Sequence, residues 1–410
     1  MPEANIDELS LQNLARPEIR ADPYPFYTRI RTEDPVHWDE PGNFWVLTRY
    51  ADAASAFQDA RFSRAQGLQS GYHRLPENER TLARPAYDVM AKMMTYSDPP
   101  YHTRLRGLVQ KAFTPRAVEQ MEPHIQQIVD ELLDAGEAKG LMEVMRDLAY
   151  PLPIIVIAEM LGLPTEDRAQ FKQWSDDLFA IMGVVRHAPE LMQKAAESAG
   201  QITDYINQLS EQRRQKPKDD LLSGLVAAED EGSRLTHEEL VANVVMLLAA
   251  GHETTTNLIG NGILALLRHP EEMEKLVKNP DLITSTIEEI MRYDNPVQIV
   301  YRSVTEDVEM DGKRIEKGQI VNLVVGSANR DPAHFSDPDH FDITRHEGRH
   351  VGLGLGIHFC LGAPLARLEG RIAINTLLPR FPQLELSTDK LQWHEHPTFR
   401  GVKELPVKLN

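Results

Sequence analysis

The pattern of apolar and polar positions predicts a mainly helical chain with small sheets. Leu361, Leu365, Leu368 and Ile372 recur at three- and four-residue steps, which puts them on one helix face. Pro364 suits that helix's first turn, where a missing N–H does little harm. A longer pattern runs from Thr236 to His269-Pro270, about 33 residues or roughly 50 Å at 1.5 Å per residue. Thr236 and Glu239 have the spacing of a capping box at its start. Shorter helices are predicted at 22–35, 51–60, 97–113, 121–136, 151–164, 171–183, 190–215 and 282–293. A loop at 184–189 separates two of them. Strand-like runs occupy 36–50 around Pro41-Gly42, 297–305, and 308–332 around Asp311-Gly312. The tail beyond Pro382 is also strand-like, with a turn at Pro397-Thr398-Phe399. Residues 65–95 mix Gly, Tyr, His and Met without clear period, and read as a long loop with one short helix.

Composition narrows the class. The chain has 410 residues, 41% of them hydrophobic, with no linker, repeat or low-complexity run. One domain over 1–410 is expected, β-rich near 36–50, 297–325 and 385–410. A net charge of −18 argues against nucleic acid or an anionic membrane as a partner. The single cysteine excludes an internal disulfide framework and suits a reducing cytoplasm. The polar, acidic N-terminus is neither signal nor anchor. The longest apolar run, Leu240 to Gly251, is too short to span a bilayer.

That single cysteine, Cys360, follows glycines at 352, 354 and 356 and precedes Gly362 at a helix N-terminus. Free N–H groups and the helix dipole there favour a thiolate. A lone cysteine is more often a small buried hydrophobe, but that role needs no flanking glycines. Zinc needs several ligands, and no spacing nearby supplies them. A cysteine hydrolase needs a partner histidine, and His358 lies in the same loop. One thiolate in a glycine cradle suits a single axial bond to haem iron. The centre of the long helix reads Ala250, Gly251, His252, Glu253, Thr254, Thr255, Thr256. Polar residues in an apolar helix break its pattern, as functional sites do. A zinc-protease motif would need histidine at 256, where threonine stands.

These motifs resemble the cytochrome P450 superfamily. Its Phe-x-x-Gly-x-x-x-Cys-x-Gly signature reads here Leu353, Gly356, His358, Cys360, Gly362, with leucine in place of the usual aromatic ring. Its Ala/Gly-Gly-x-Asp/Glu-Thr motif fits Ala250 to Thr254 in every place. Its Glu-x-x-Arg pair matches Glu289 and Arg292, which would pin the cysteine loop from behind. The third partner, usually an arginine between Pro-x and Phe, is here His340.

The resemblance implies haem b held by Cys360, with His102, Arg106, Arg302 and His358 at its propionates. Ala250 and Gly251 would line an oxygen groove, and Glu253 and Thr254 would deliver protons. The loop at 65–95 would cover the substrate, and the helices at 171–183 and 190–215 would roof the pocket. Met246, Ala249, Val297, Ile299 and Phe399 are the candidate pocket residues, which implies a hydrophobic small-molecule substrate. Hydroxylation or epoxidation of a secondary metabolite follows, with dioxygen and NAD(P)H-derived electrons. No flavin motif is present, so a ferredoxin or flavodoxin with its reductase would supply them. A basic patch of Lys111, Arg116, Arg345, Arg349, His350, Arg367 and Arg371 would dock that donor. The rivals are a peroxide-driven fatty-acid hydroxylase and a haem-thiolate binding protein without turnover. The intact Glu253-Thr254 pair argues against both.

Overall fold

The structure is a computed structural model that describes residues 8–137, 142–181, 189–230 and 235–409. Residues 184–188 of the expected loop lie outside the described residues. The helices that position the site are α1 Tyr24–Glu33, α2 Tyr50–Gln58, α3 Arg64–Arg74, α4 Glu77–Met90, α5 Tyr101–Val109, α6 Glu122–Glu137, α7 Pro151–Leu161, α8 Arg168–Ala180, α9 Pro189–Gln215, α10 His237–Arg268, α11 Ile283–Tyr293 and α12 Ala363–Arg380.

The strands are β1 Val36–Asp39, β2 Phe44–Leu47, β3 Phe62–Ser63, β4 Met142–Glu143, β5 Ile299–Val304, β6 Val308–Met310, β7 Lys313–Ile315, β8 Ile320–Val324, β9 Glu385–Leu386 and β10 Pro406–Lys408. They build a five-stranded sheet in the order β1-β2-β8-β5-β3, a three-stranded sheet β4-β10-β9, and the hairpin β6-β7. The β1-β2 pair is the expected antiparallel hairpin, and β2 runs parallel to β8. Asp311 and Gly312 turn the β6-β7 hairpin with φ of 53° and 70°. Both values lie in the left-handed region that such tight turns require.

The central helix α10 organises the core. The Thr236 hydroxyl accepts from the Glu239 N–H, and the Glu239 carboxylate accepts from the Thr236 N–H, so the capping box forms. The same carboxylate takes both Nη atoms of Arg104 on α5. Most of α10 is buried, with α7, α9, α11 and α12 packed around it. A helix apolar on nearly every side is what such an enclosed position demands.

Residues 65–95 depart from expectation. They form two helices, α3 and α4, and not a loop with one short helix. Ser63 caps α3 by accepting from the Gln66 N–H at 2.9 Å. In α4 the buried stripe is Glu79, Ala83, Ala86 and Met90, at four- and three-residue steps. Small alanines and the internal Pro85 mute that pattern, and packing against α9 supplies the missing order.

The C-terminal turn closes on the beginning of the chain. Arg400 is buried, donates to the Arg20 and Ala21 carbonyls, and pairs with Asp294 at 2.5 Å. Its guanidinium also lies 3.8 Å from the centre of the Trp393 ring.

Candidate active site

A cavity of about 310 Å³ lies between the middle of α10 and the loop that ends in α12. The loop contributes His358, Cys360 and Gly362, and α10 contributes Met246, Ala249, Ala250, Gly251, Thr254 and Thr255. Val297, Ile299 and Phe399 line it as well, so all five expected pocket residues meet there. Val297 and Phe399 form an isolated antiparallel bridge, which sets the turn against the start of β5.

The loop needs its glycines at two places. Gly354 and Gly356 have φ of 69° and 68°, which side chains rarely adopt. A Cβ on Gly356 would also stand 2.9 Å from the Phe57 carbonyl, so this glycine seats the loop on α2 and does not line the cavity. The Cys360 N–H donates to the Leu353 carbonyl at 2.9 Å. The helix start was expected to favour a thiolate. Burial outweighs it and pushes the thiol up, while the Gly362 N–H, Arg106, Arg367 and the Ala363 N–H pull the other way.

Three of the four expected propionate residues converge. His102 is buried, and its ring centre lies 4.3 Å from that of His358. Arg106 donates to the Phe359 carbonyl at 2.8 Å, tying α5 to the cysteine loop. Burial first, then the charges of Arg302, Arg64, His102 and Arg106, push His358 down to about 2. Arg302 sits one layer behind: it is buried, donates to the Tyr301 carbonyl, and its guanidinium lies 5.5 Å from the centre of the Phe57 ring. It does not line the cavity; Arg64 does. Arg64 was invisible in the sequence because the segment it opens showed no period.

The acid and the alcohol of α10 point apart. Thr254 lines the cavity and donates to the Ala250 carbonyl at 3.0 Å. Glu253 does not line it, and accepts from Asn257 Nδ2 at 3.2 Å. Gly251 leaves room for α7, since a Cβ there would stand 2.6 Å from the Ile157 side chain.

Behind the loop, Glu289 and Arg292 form a two-pronged pair at 2.7 and 2.8 Å, both buried. Arg292 also takes the carbonyls of Asn329, Pro338 and His340. The third partner is Arg345, 3.3 Å from Glu289, where the family pattern would put an arginine at 340.

The expected docking patch is therefore thinner than its spacing suggested. Arg345 and His350 are turned inward, Arg367 pairs with Glu288 at 2.6 Å, and Arg371 stands 3.8 Å from Glu122. Lys111, Arg116 and Arg349 stay exposed, and so does Ile357 of the cysteine loop, at 50%.

The cytochrome P450 family profile matches residues 68–402. The chain belongs to the cytochrome P450 family. Polyketide biosynthesis cytochrome P450 PksS of Bacillus subtilis is 41% identical over 402 residues, covering 96% of this chain and 97% of that protein. Vitamin D(3) 25-hydroxylase of Pseudonocardia autotrophica is 44% identical over 393 residues, covering 94% of each. The solved structure of P450BioI with a hexadec-9Z-enoic acid ligated acyl carrier protein has a TM-score of 0.88 at 40% identity. It covers 95% of this chain, and this chain covers 99% of it.

This P450 is thus an oxidoreductase of the haem-thiolate monooxygenase class, using dioxygen and reducing equivalents. Its own residues suit the cofactor. The lone thiol is half-buried at the cavity wall, cations gather beside it, and His358 Nε2 is buried with no hydrogen-bond partner among the described residues. Among the described residues no helix is long and apolar enough to cross a membrane.

Proposed function

We propose that this P450 hydroxylates or epoxidises a large hydrophobic secondary metabolite, working as a single cytoplasmic domain. One observation carries the reading: Cys360, Thr254 and an apolar wall rich in methionine share one cavity. Met90, Met93, Met94 and Met246 all line it. Methionine is unbranched and polarisable, so such a wall adapts to bulky apolar shapes. The printed names of its relatives, a polyketide-pathway enzyme and a vitamin D(3) hydroxylase, support the same class.

Cys360 would hold the iron, and His102, Arg106 and His358 would meet the propionates, with Arg302 adding positive charge from one layer behind. The bound haem supplies dioxygen activation under the push of the thiolate. Thr254 stands at the cavity to pass a proton, and Glu253 to resupply it from behind. A ferredoxin or flavodoxin with its reductase would bring electrons from NAD(P)H.

The decisive experiment compares wild type with Cys360→His. The wild-type ferrous–CO complex should show the red-shifted Soret band of thiolate ligation, and the variant should lose it. Product formed with NAD(P)H and redox partners, against peroxide alone, separates the monooxygenase from the peroxide-driven alternative. Soret titration with macrolides, terpenoids, steroids and fatty acids then ranks substrates.

A further inference from the structure

Arg64 is 8% exposed and opens α3 beside the cavity. Its backbone is fixed from both sides. Asp98 accepts from the Arg64 N–H at 3.1 Å and from the Ser63 hydroxyl. Its side chain is equally confined. Nε donates to the Thr95 carbonyl at 3.0 Å and Nη1 to the Tyr301 carbonyl at 2.9 Å. The guanidinium carbon lies 4.7 Å from the Tyr96 ring centre and 4.9 Å from that of Tyr301. Carbonyls and rings orient the cation, but none of them neutralises it.

No carboxylate pairs with this guanidinium among the described residues. Asp98, the acid nearest in its contacts, is engaged by Ser63 and by the Arg64 backbone. A guanidinium carries five N–H donors in a rigid fork. Two nitrogens are committed, and Nη2 has no partner among the described residues. The field of Arg64 reaches His358 and Arg302, so it belongs to the cation cluster around the cysteine loop.

We propose that Arg64 Nη2 is a carboxylate-binding point inside the cavity, an inference that rests on the P450 reading above. Two sources can supply the carboxylate: a haem propionate, or an acid group on the substrate. A fixed fork with a free edge recognises either one.

Arg64→Gln and Arg64→Lys distinguish them. In the first arm, haem loss to apomyoglobin is timed with native haem and with haem whose propionates are esterified. A propionate contact makes Arg64→Gln lose native haem about tenfold faster and leaves the ester form unchanged. In the second arm, calorimetry gives Kd for a long-chain fatty acid and for the matching alcohol. A substrate contact weakens the acid about tenfold in Arg64→Gln and leaves the alcohol unchanged. Arg64→Lys keeps the charge and loses the fork, so it shows the same selectivity at smaller size. It also gives the answer if the glutamine variant fails to fold. The proposal is overturned if both variants stay within twofold of wild type. It is overturned as well if free and esterified haem, and acid and alcohol, change alike. The wild-type ferrous–CO band judges the P450 reading separately, and calorimetry does not depend on it.

Discussion

Asn257 donates its side-chain amide to Glu253 at 3.2 Å, one turn further along α10. A carboxylate only accepts, so the amide nitrogen must face it. The pair turns Glu253 away from the cavity that Thr254 lines. On the proposed mechanism, proton traffic would have two stations, an inner hydroxyl and an outer acid. Thr254→Ala should keep ligand affinity and NAD(P)H use while diverting electrons to peroxide. Product formed per NAD(P)H should drop by about a hundredfold, the low end of what a lost proton donor costs. Asn257→Ala should lower the same ratio by a smaller factor. Unchanged coupling in Thr254→Ala removes the hydroxyl from the route.

The Glu289–Arg292 pair should matter to stability far more than an ordinary pair on a helix surface. Both partners are buried, and Arg292 bonds three backbone carbonyls besides. Removing Arg292 leaves Glu289 with Arg345 as its one cation and takes the donor from three carbonyls, at about 3–5 kcal/mol. Arg292→Ala should lower the urea midpoint accordingly and weaken haem retention. A change under about 1 kcal/mol would return the pair to the surface class.

Glu288 gives the cysteine region a defined acid limit. Its burial opposes ionisation, but hydrogen bonds from His350 and Arg367 overcome that and hold it at about 2. His350 Nδ1 accepts from the Gly352 N–H at 3.1 Å, so Nε2 carries the proton that meets Glu288. A folded-state value below the unfolded one means stability present above about 4.5. It is lost as pH falls toward about 2. Glu288→Gln should therefore be less stable than wild type at pH 7. The gap should narrow through that window, as read by urea midpoints at several pH values.

Electron delivery should depend on Lys111, Arg116 and Arg349 and not on the inward-facing cations. The Arg349 guanidinium lies 4.9 Å from the centre of the Phe359 ring, next to the cysteine. The short helix that carries Arg116 packs on α12. An acidic ferredoxin would be steered by these charges, with an on-rate that falls as salt rises. Reversing Lys111 and Arg349 together should slow the first reduction several-fold and leave substrate binding intact. Reversing Arg371 alone should change little. Equal effects would mean a different docking face.

Much of this was legible because its signals are local. A lone cysteine among glycines, a capping box and a polar break in an apolar helix each lie within a few residues. The five pocket candidates came with the family resemblance, and all five line the one cavity. Other features depend on contacts that spacing does not encode. The muted stripe of α4 takes its order from α9, and Arg64 is defined by Tyr96 and Tyr301. Spacing gives a residue's helix face, but it does not reveal that Asn257 would turn Glu253 away. It also finds cations without revealing which carboxylate has already taken them, as with Arg345 and Arg367.

Arg400 bonds the carbonyls of Arg20 and Ala21. During synthesis at about 5–20 residues per second, roughly 20–80 s separate the emergence of those partners from the ribosome. Those two carbonyls must therefore wait for their donor while nearly all of the intervening chain is made. Cys360 also follows the long helix in the chain, so a nascent chain that stops at His350 has that helix but not yet Cys360 to offer the cofactor. Haem capture thus waits for the cysteine loop, and Arg400 can clasp Arg20 and Ala21 only after the ligand has been made.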